Sequence, residues 1–234
     1  MNLASAIKTE GRALPVFLVV DVSGSMSGEK IGTVNTALKE MLATFRDIKN
    51  PRGIIKVCLM TFGGNTATIV KPLSTINDDD AFNLTAAGST PMGSAFDKLN
   101  DLLNDKTIVT SRDYTPTVIL ISDGQPTDFR CDSSDSESII SNWPSLANLL
   151  KQDSRSSKVT RLAMGIGLDA NYSILKAFVN NPEIPVIKAN DNGTIAHFFN
   201  WVTMSVSTRS VNNNPNDIDF EDFKAAFDND SIIL

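Results

Sequence analysis

The stretch VFLVVDVSGSMSGEK, Val16 to Lys30, sets the problem that this chain poses. Its apolar start reads as a buried strand, yet it stops at Asp21 and runs straight into alternating hydroxyls and glycines. A carboxylate and two serines at the end of a buried strand are costly unless something binds them. A metal, a phosphate and an ordinary turn are the candidates. Asp21, Ser23 and Ser25 alternate so that three oxygens can face one point, and Gly24 allows the chain to turn closely between them.

Working outward, apolar β-branched runs recur between helical patterns, the sequence form of a parallel sheet covered by helices on both faces. Strands are expected at Leu14 to Val20, Ile54 to Phe62, Ala67 to Leu73, Thr117 to Ile121, Thr160 to Gly165 and Pro185 to Lys188. Ile31, Val34, Leu38, Met41, Leu42 and Phe45 fall at three- and four-residue steps and predict one helix; Phe96, Leu99, Leu102 and Leu103 predict a second. Trp143 to Gln152, Tyr172 to Val179 and Gly193 to Val206 carry further helical patterns, while Thr127 to Ser138 reads as an exposed loop. Only GGN, Gly63 to Asn65, joins the second and third strands, and parallel neighbours need a crossover of about a dozen residues. The third strand is therefore an antiparallel edge. The expected fold is α/β: a doubly wound, mostly parallel six-stranded sheet with one antiparallel edge strand.

The 234 residues, 41% of them hydrophobic, suffice for one large domain, placed at residues 1–209, with an appendage at 210–234. The net charge of −6 argues for solubility and against a polyanion-binding surface, so nucleic acid is not an expected partner. Most of that charge is terminal: Asp217, Asp219, Glu221, Asp222, Asp228 and Asp230 oppose a single base, Lys224. Phe220, Phe223 and Phe227 stand at helical spacing in the same tail, with Asp219 as a cap, and such a helix either docks on its own domain or binds a partner. Cys58 lies in an apolar run and Cys131 in the polar loop, a usage that suits a reducing compartment. No apolar run approaches the roughly 20 residues that span a bilayer, and the one before Asp21 has no cleavage site after it. The expectation is a cytoplasmic protein with no membrane partner.

In open α/β sheets, ligands bind at the carboxyl ends of strands where the strand order reverses. Three segments reach that edge: DVSGS; GSTPMGSAF, where Pro91 suits a first helical position and leaves Thr90 near the cap; and VILISDGQPTD, a buried strand ending in Asp123 and Gly124. Two carboxylates and three hydroxyls make a hard, all-oxygen site that favours Mg²⁺ or Mn²⁺ over softer-ligand metals. Because Mg²⁺ takes six oxygens and gives up water reluctantly, such a site keeps open positions. Each segment also has a plainer reading. Ser25 or Ser27 could cap the following helix, Thr90 could be a cap, and Asp123 with Gly124 could be a turn.

Asp21-x-Ser23-x-Ser25, followed by Thr90 and then Asp123, resembles the metal-ion-dependent adhesion site of von Willebrand factor type A domains, over about residues 13–208. The fuller wording LPVFLVVDVSGSM, GSTPMGSAF and LISDGQPTD looks most like the bacterial tellurite-resistance (TerY-type) subgroup. The resemblance implies that Ser23, Ser25 and Thr90 bind Mg²⁺ directly, with Asp21 and Asp123 binding directly or through water; Mn²⁺ and Ca²⁺ are alternatives. It implies a last position offered to a glutamate or aspartate of a protein partner, and, from the subgroup, bacterial stress resistance alongside a Ser/Thr kinase or phosphatase.

Enzymatic readings are weaker. GSMSGEK lacks the order of a phosphate-cradling P-loop. A Mg²⁺-dependent phosphohydrolase with Asp21 as nucleophile is the main rival. Against it, Val22 and Ser23 stand where a second carboxylate would be needed, and no lysine is evidently placed to stabilise a transferring group. The single histidine, His197, falls within the helical pattern TIAHFFNWV and reads as a packed or surface residue. The chain is expected to be non-catalytic. An extracellular adhesion domain would use the same site but needs export.

Overall fold

A computed structural model describes residues 11–49, 52–130, 133–216 and 220–233. Cys131, Asp217 and the expected cap Asp219 lie outside the described residues. The central strand β1 (Ala13–Asp21) is buried at all nine positions. A strand covered on both faces has no solvent side to show, which is why its sequence is a continuous apolar run with no alternation. It pairs in parallel with β2 (Ile54–Gly63) on one side and with β4 (Thr117–Ser122) on the other. Beyond β2 lies β3 (Thr66–Ser74), antiparallel as its short link requires. Beyond β4 come β5 (Thr160–Ile166) and β6 (Val186–Ala189), both parallel.

The helices α1 (Glu29–Asp47) and α6 (Asn192–Val211) pack together on one face of the sheet. The other face carries α2 (Met92–Asn104), α3 (Ser136–Asn142), α4 (Pro144–Leu150) and α5 (Tyr172–Val179). The residues that predicted α1 and α2 are the ones these helices bury, with the exception of Leu102, which is half-buried. Helix α3 was not expected. It begins inside the stretch read as a loop, at Ser136, where the Asp135 carboxylate accepts the Ser138 amide at 2.9 Å. Two turns with one buried apolar residue, Ile139, leave no periodicity to detect.

The sheet has seven strands among the described residues, in the order β3-β2-β1-β4-β5-β6-β7, and both edges are antiparallel. This corrects the expected six strands and single antiparallel edge. The seventh, β7 (Ile232–Ile233), comes from the acidic tail and pairs with Val186 and Ile187 of β6. Two residues are too short for a strand signal in sequence, and only the open edge of β6 makes a strand of them.

The tail also supplies α7 (Phe220–Ala225), which docks on α6. Phe223 is fully buried with its ring 4.2 Å from that of Trp201, and Phe227, past the end of the helix, packs between Phe223 and Phe198. The backbone oxygen of Ala226 lies 2.7 Å from His197 Nε2, so the histidine is a packing and docking residue on α6. Helix α6 has apolar residues around more than one face, Phe198, Phe199, Trp201, Val202 and Val206, and such a helix needs cover on two sides. Sheet and α1 provide one; the tail provides the other. At the far end of α6, the buried Arg209 guanidinium donates to Pro215 O at 2.7 Å and to Thr117 Oγ1 at 2.6 Å, tying the helix to the start of β4. Burial pushes its pKa down to about 10. Cys58 is a core residue of β2, and burial pushes its thiol up to about 12.

Truncating a fully buried phenylalanine typically costs about 3–5 kcal/mol. Phe223→Ala is expected to lower the urea-unfolding free energy by an amount in that range, with Phe223→Leu costing less than half as much. An unchanged midpoint for Phe223→Ala would mean that the tail does not dock on α6.

Candidate metal centre

Strand order reverses at β1: the chain leaves it for β2 on one side and returns to β4 on the other. The carboxyl ends of β1 and β4 therefore bound the crevice where such sheets bind ligands. Asp21 closes β1, and Asp123 follows Ser122, the last residue of β4. Both carboxylates are fully buried.

Asp21 Oδ1 accepts the Ser23 amide at 2.8 Å, and its Oδ2 accepts the Ser122 hydroxyl at 2.6 Å. Burial raises the Asp21 carboxyl above its ordinary value; the bonds from Ser122 and Ser23 pull it back down, and the neighbouring Asp123 charge adds to the rise. From Ser23 the chain of oxygens continues. Ser23 Oγ lies 3.0 Å from Ser25 Oγ, which donates to Asp123 Oδ1 at 2.7 Å. Lys30, from the first turn of α1, places its ammonium on Asp123 Oδ2 and 3.3 Å from Ser25 O.

Thr90 arrives from the β3–α2 connection. A backbone crossing carries it there: Gly24 N donates to Gly88 O at 2.9 Å, and Ala87 N donates to Val22 O at 2.8 Å. Gly88 has φ +78°, and a side chain on it would stand 2.6 Å from Gly64 Cα, so neither the conformation nor the contact admits another residue. Thr90 N donates to Thr127 Oγ1 at 3.2 Å and Thr127 N donates back to Thr90 O at 2.9 Å, which couples this loop to the one after β4. Gly124 faces the result. A Cβ built there would lie 3.5 Å from Ser25 Oγ and 3.6 Å from Thr90 Oγ1, so the missing side chain leaves a space that both hydroxyls border.

All five residues singled out in the sequence, Asp21, Ser23, Ser25, Thr90 and Asp123, come to this one crevice. Their plainer readings as helix caps do not hold. Gly28 precedes α1 and Pro91 precedes α2, neither helix start has a side-chain cap from its own N-cap residue, and no serine caps the 3-10 turn Gly24–Met26. Thr90 was expected near the cap of α2; instead the Asp128 carboxylate, from the loop after β4, accepts the Gly93 and Ser94 amides at 3.1 and 3.0 Å. That leaves the Thr90 hydroxyl out of helix capping.

Sequence reasoning missed Ser122 and Lys30. Ser122 has a signal only once register is known, because Val20 pairs with Ile121 and the next step sets Asp21 beside Ser122. Lys30 overturns the expectation that no lysine is placed at the site: four residues of turn and helix start after Met26 bring it back over Asp123. Among the described residues no group of three or more His, Cys, Asp or Glu side chains forms a metal site. Two carboxylates with three hydroxyls around an unfilled Gly124 position remain a fitting donor set for a hard divalent cation. No helix among the described residues is long and apolar enough to cross a membrane.

Comparison with known proteins agrees with this architecture. Residues 16–125 match the family model of the von Willebrand factor type A domain. No curated protein matches the sequence. Among solved structures, a von Willebrand factor type A protein from Catenulispora acidiphila superposes with a TM-score of 0.62 at 17% identity, over 83% of this chain and 42% of that one. The pilus adhesin SpaC from Lactobacillus rhamnosus GG gives a TM-score of 0.65 at 17% identity, over 85% of this chain and 30% of that one. Proximal thread matrix protein 1 from the mussel byssus, solved with a zinc-occupied MIDAS motif, gives 0.58 at 17% identity, over 82% of this chain and 45% of that one. This chain thus spans less than half the length of each. The matched segment holds both carboxylates and all three hydroxyls of the crevice, so the similarity to the von Willebrand factor type A domain takes in the whole candidate site, and the sheet order is that of the same fold.

Proposed function

We propose that the chain is a non-catalytic interaction module in which Asp21, Ser23, Ser25, Thr90 and Asp123 hold Mg²⁺ and present it to an acidic residue of a partner protein. The observation that carries the reading is the meeting of two buried carboxylates with three hydroxyls that cap no helix, at the switch point of the sheet. The hydroxyls would bind the ion directly, and the carboxylates directly or through water. Mn²⁺ and Ca²⁺ suit the same oxygens, and zinc joins the metals to be tried because the mussel protein holds it in a motif of this kind.

Charge selects the partner. Two carboxylates neutralise a divalent ion, and the Lys30 ammonium then leaves the site with a net positive charge. A carboxylate from outside is attracted to it; a cation or an apolar group is not. The wording of LPVFLVVDVSGSM, GSTPMGSAF and LISDGQPTD supports a TerY-type role in bacterial tellurite and stress resistance, with a Ser/Thr kinase or phosphatase as the partner. The buried, unbridged Cys58 supports a cytoplasmic setting.

A second reading, the Mg²⁺-dependent phosphohydrolase, gains from Lys30, a cation beside an aspartate at a strand end. Burial weighs against it. A nucleophilic aspartate must meet its substrate, whereas Asp21 has no exposed surface and both of its oxygens accept hydrogen bonds. Mg²⁺-dependent turnover of an aryl phosphate, abolished by Asp21→Asn, would establish this second reading in place of the first.

Thermal unfolding with and without metal tests the site itself. A ligand at 100 times its Kd stabilises the native state by about 2.7 kcal/mol. Wild type is expected to show an upward Tm shift of that origin on adding excess Mg²⁺, and Ser23→Ala/Ser25→Ala is expected to lose it. Gly124→Ala should keep its Tm in EDTA and bind Mg²⁺ at least tenfold more weakly, since the new methyl stands in contact with Ser25 Oγ and Thr90 Oγ1. A wild-type Tm indifferent to Mg²⁺, Mn²⁺, Ca²⁺ and Zn²⁺ would sink the metal-site reading.

A further inference from the structure

Lys30 is a charged group of the crevice that is not among the residues proposed to hold the metal. Its ammonium sits on Asp123 Oδ2, while the other oxygen of the same carboxylate, Oδ1, accepts from Ser25 and faces the hydroxyls. The lysine is tethered from both sides. Its backbone is in the first turn of α1, and its Nζ also bonds Ser25 O, so the charge is held at the mouth rather than waving in solvent. Gly167, at the carboxyl end of β5 with φ +82°, lies alongside the lysine: a Cβ there would be in ordinary van der Waals contact with Nζ at 3.7 Å and Cε at 3.9 Å. Its side chain is one-third exposed, whereas the carboxylate it meets is fully buried.

We infer that Lys30 sets the strength with which this site holds its divalent ion: by spending part of the Asp123 charge on an ammonium, it keeps the ion loosely bound. The inference rests on the metal reading above and deepens it. Asp21 and Asp123 are the carboxylates of the crevice, and Lys30 is a cation in contact with one of them, Asp123. At a site this buried, Coulomb interactions are screened far less than in water, so a positive charge in contact with one of two anionic ligands opposes a second cation strongly. The geometry also gives a reason for the weakening to be tolerated. The hydrogen bond from Ser25 orients Oδ1 without help from the lysine, so the ammonium adds charge and little positioning. A loosely held ion with residual positive charge is one that a partner carboxylate completes, and metal affinity and partner affinity then rise together.

Mn²⁺ alone serves as the probe, with free Mn²⁺ counted by electron paramagnetic resonance in titrations of the full chain. Lys30→Met, which keeps the length of the side chain and removes the charge, is expected to bind Mn²⁺ about tenfold more tightly than wild type. Lys30→Arg, which keeps the charge, should stay within about threefold of wild type. Melting in EDTA shows whether each variant is folded. Equal or weaker binding by a folded Lys30→Met, with wild type binding and Ser25→Ala not, overturns the role of Lys30 and leaves the metal site standing. Binding by none of the four proteins overturns both. Binding by Lys30→Met where wild type binds none supports the inference in its strongest form.

Discussion

A carboxylate buried at the end of the central strand is the constraint around which this molecule is arranged. β1 is paired along both edges, so the backbone of Asp21 belongs to the ladder, and its side chain has nowhere to go but the crevice between β1 and β4. Moving a negative charge out of water is costly, and hydrogen bonds from one amide and one hydroxyl offset only part of that cost. The neighbouring Asp123 makes the problem harder, and Lys30 relieves it at one of the two anions. A divalent cation held by both would relieve it at each.

What gives the crevice its shape is backbone. The loop after β1 is bonded to the loop before α2 through Gly24 and Gly88 and through Val22 and Ala87, and that loop is bonded to the one after β4 through Thr90 and Thr127. None of these links spends a hydroxyl of Ser23, Ser25 or Thr90 on a helix start. Asp128 takes over the capping of α2 from another loop, and Gly28 and Pro91 precede their helices without capping them. Side-chain oxygens that could have served local structure are thereby left to face one another.

Legibility followed the length scale of each interaction. The strands and the long helices announce themselves because burial on one or both faces imposes its pattern on a long consecutive run, 19 residues in α1 and nine in β1. The three site segments were visible for a related reason: polar residues that interrupt a buried run must be explained, and the ends of β1 and β4 are such interruptions. Features resting on contacts between distant segments left no such trace. Ser122 looks like any serine until β1 and β4 are in register; Lys30 looks like a surface lysine until the turn after Met26 folds it back; Ile232 and Ile233 make a strand only against the free edge of β6.

The sequence by itself therefore determined the layered α/β class, the antiparallel link at Gly63 to Asn65, and which oxygens stand at strand ends, because these depend on local periodicity, on chain length between strands and on the cost of burying polar groups. Tertiary structure alone decided the seventh strand, the docking of Phe223 on Trp201, the bond of Ser122 to Asp21 and the ion pair of Lys30 with Asp123. These join residues up to about a hundred positions apart, and no local pattern encodes the register and the turn geometry that bring such residues within bonding distance.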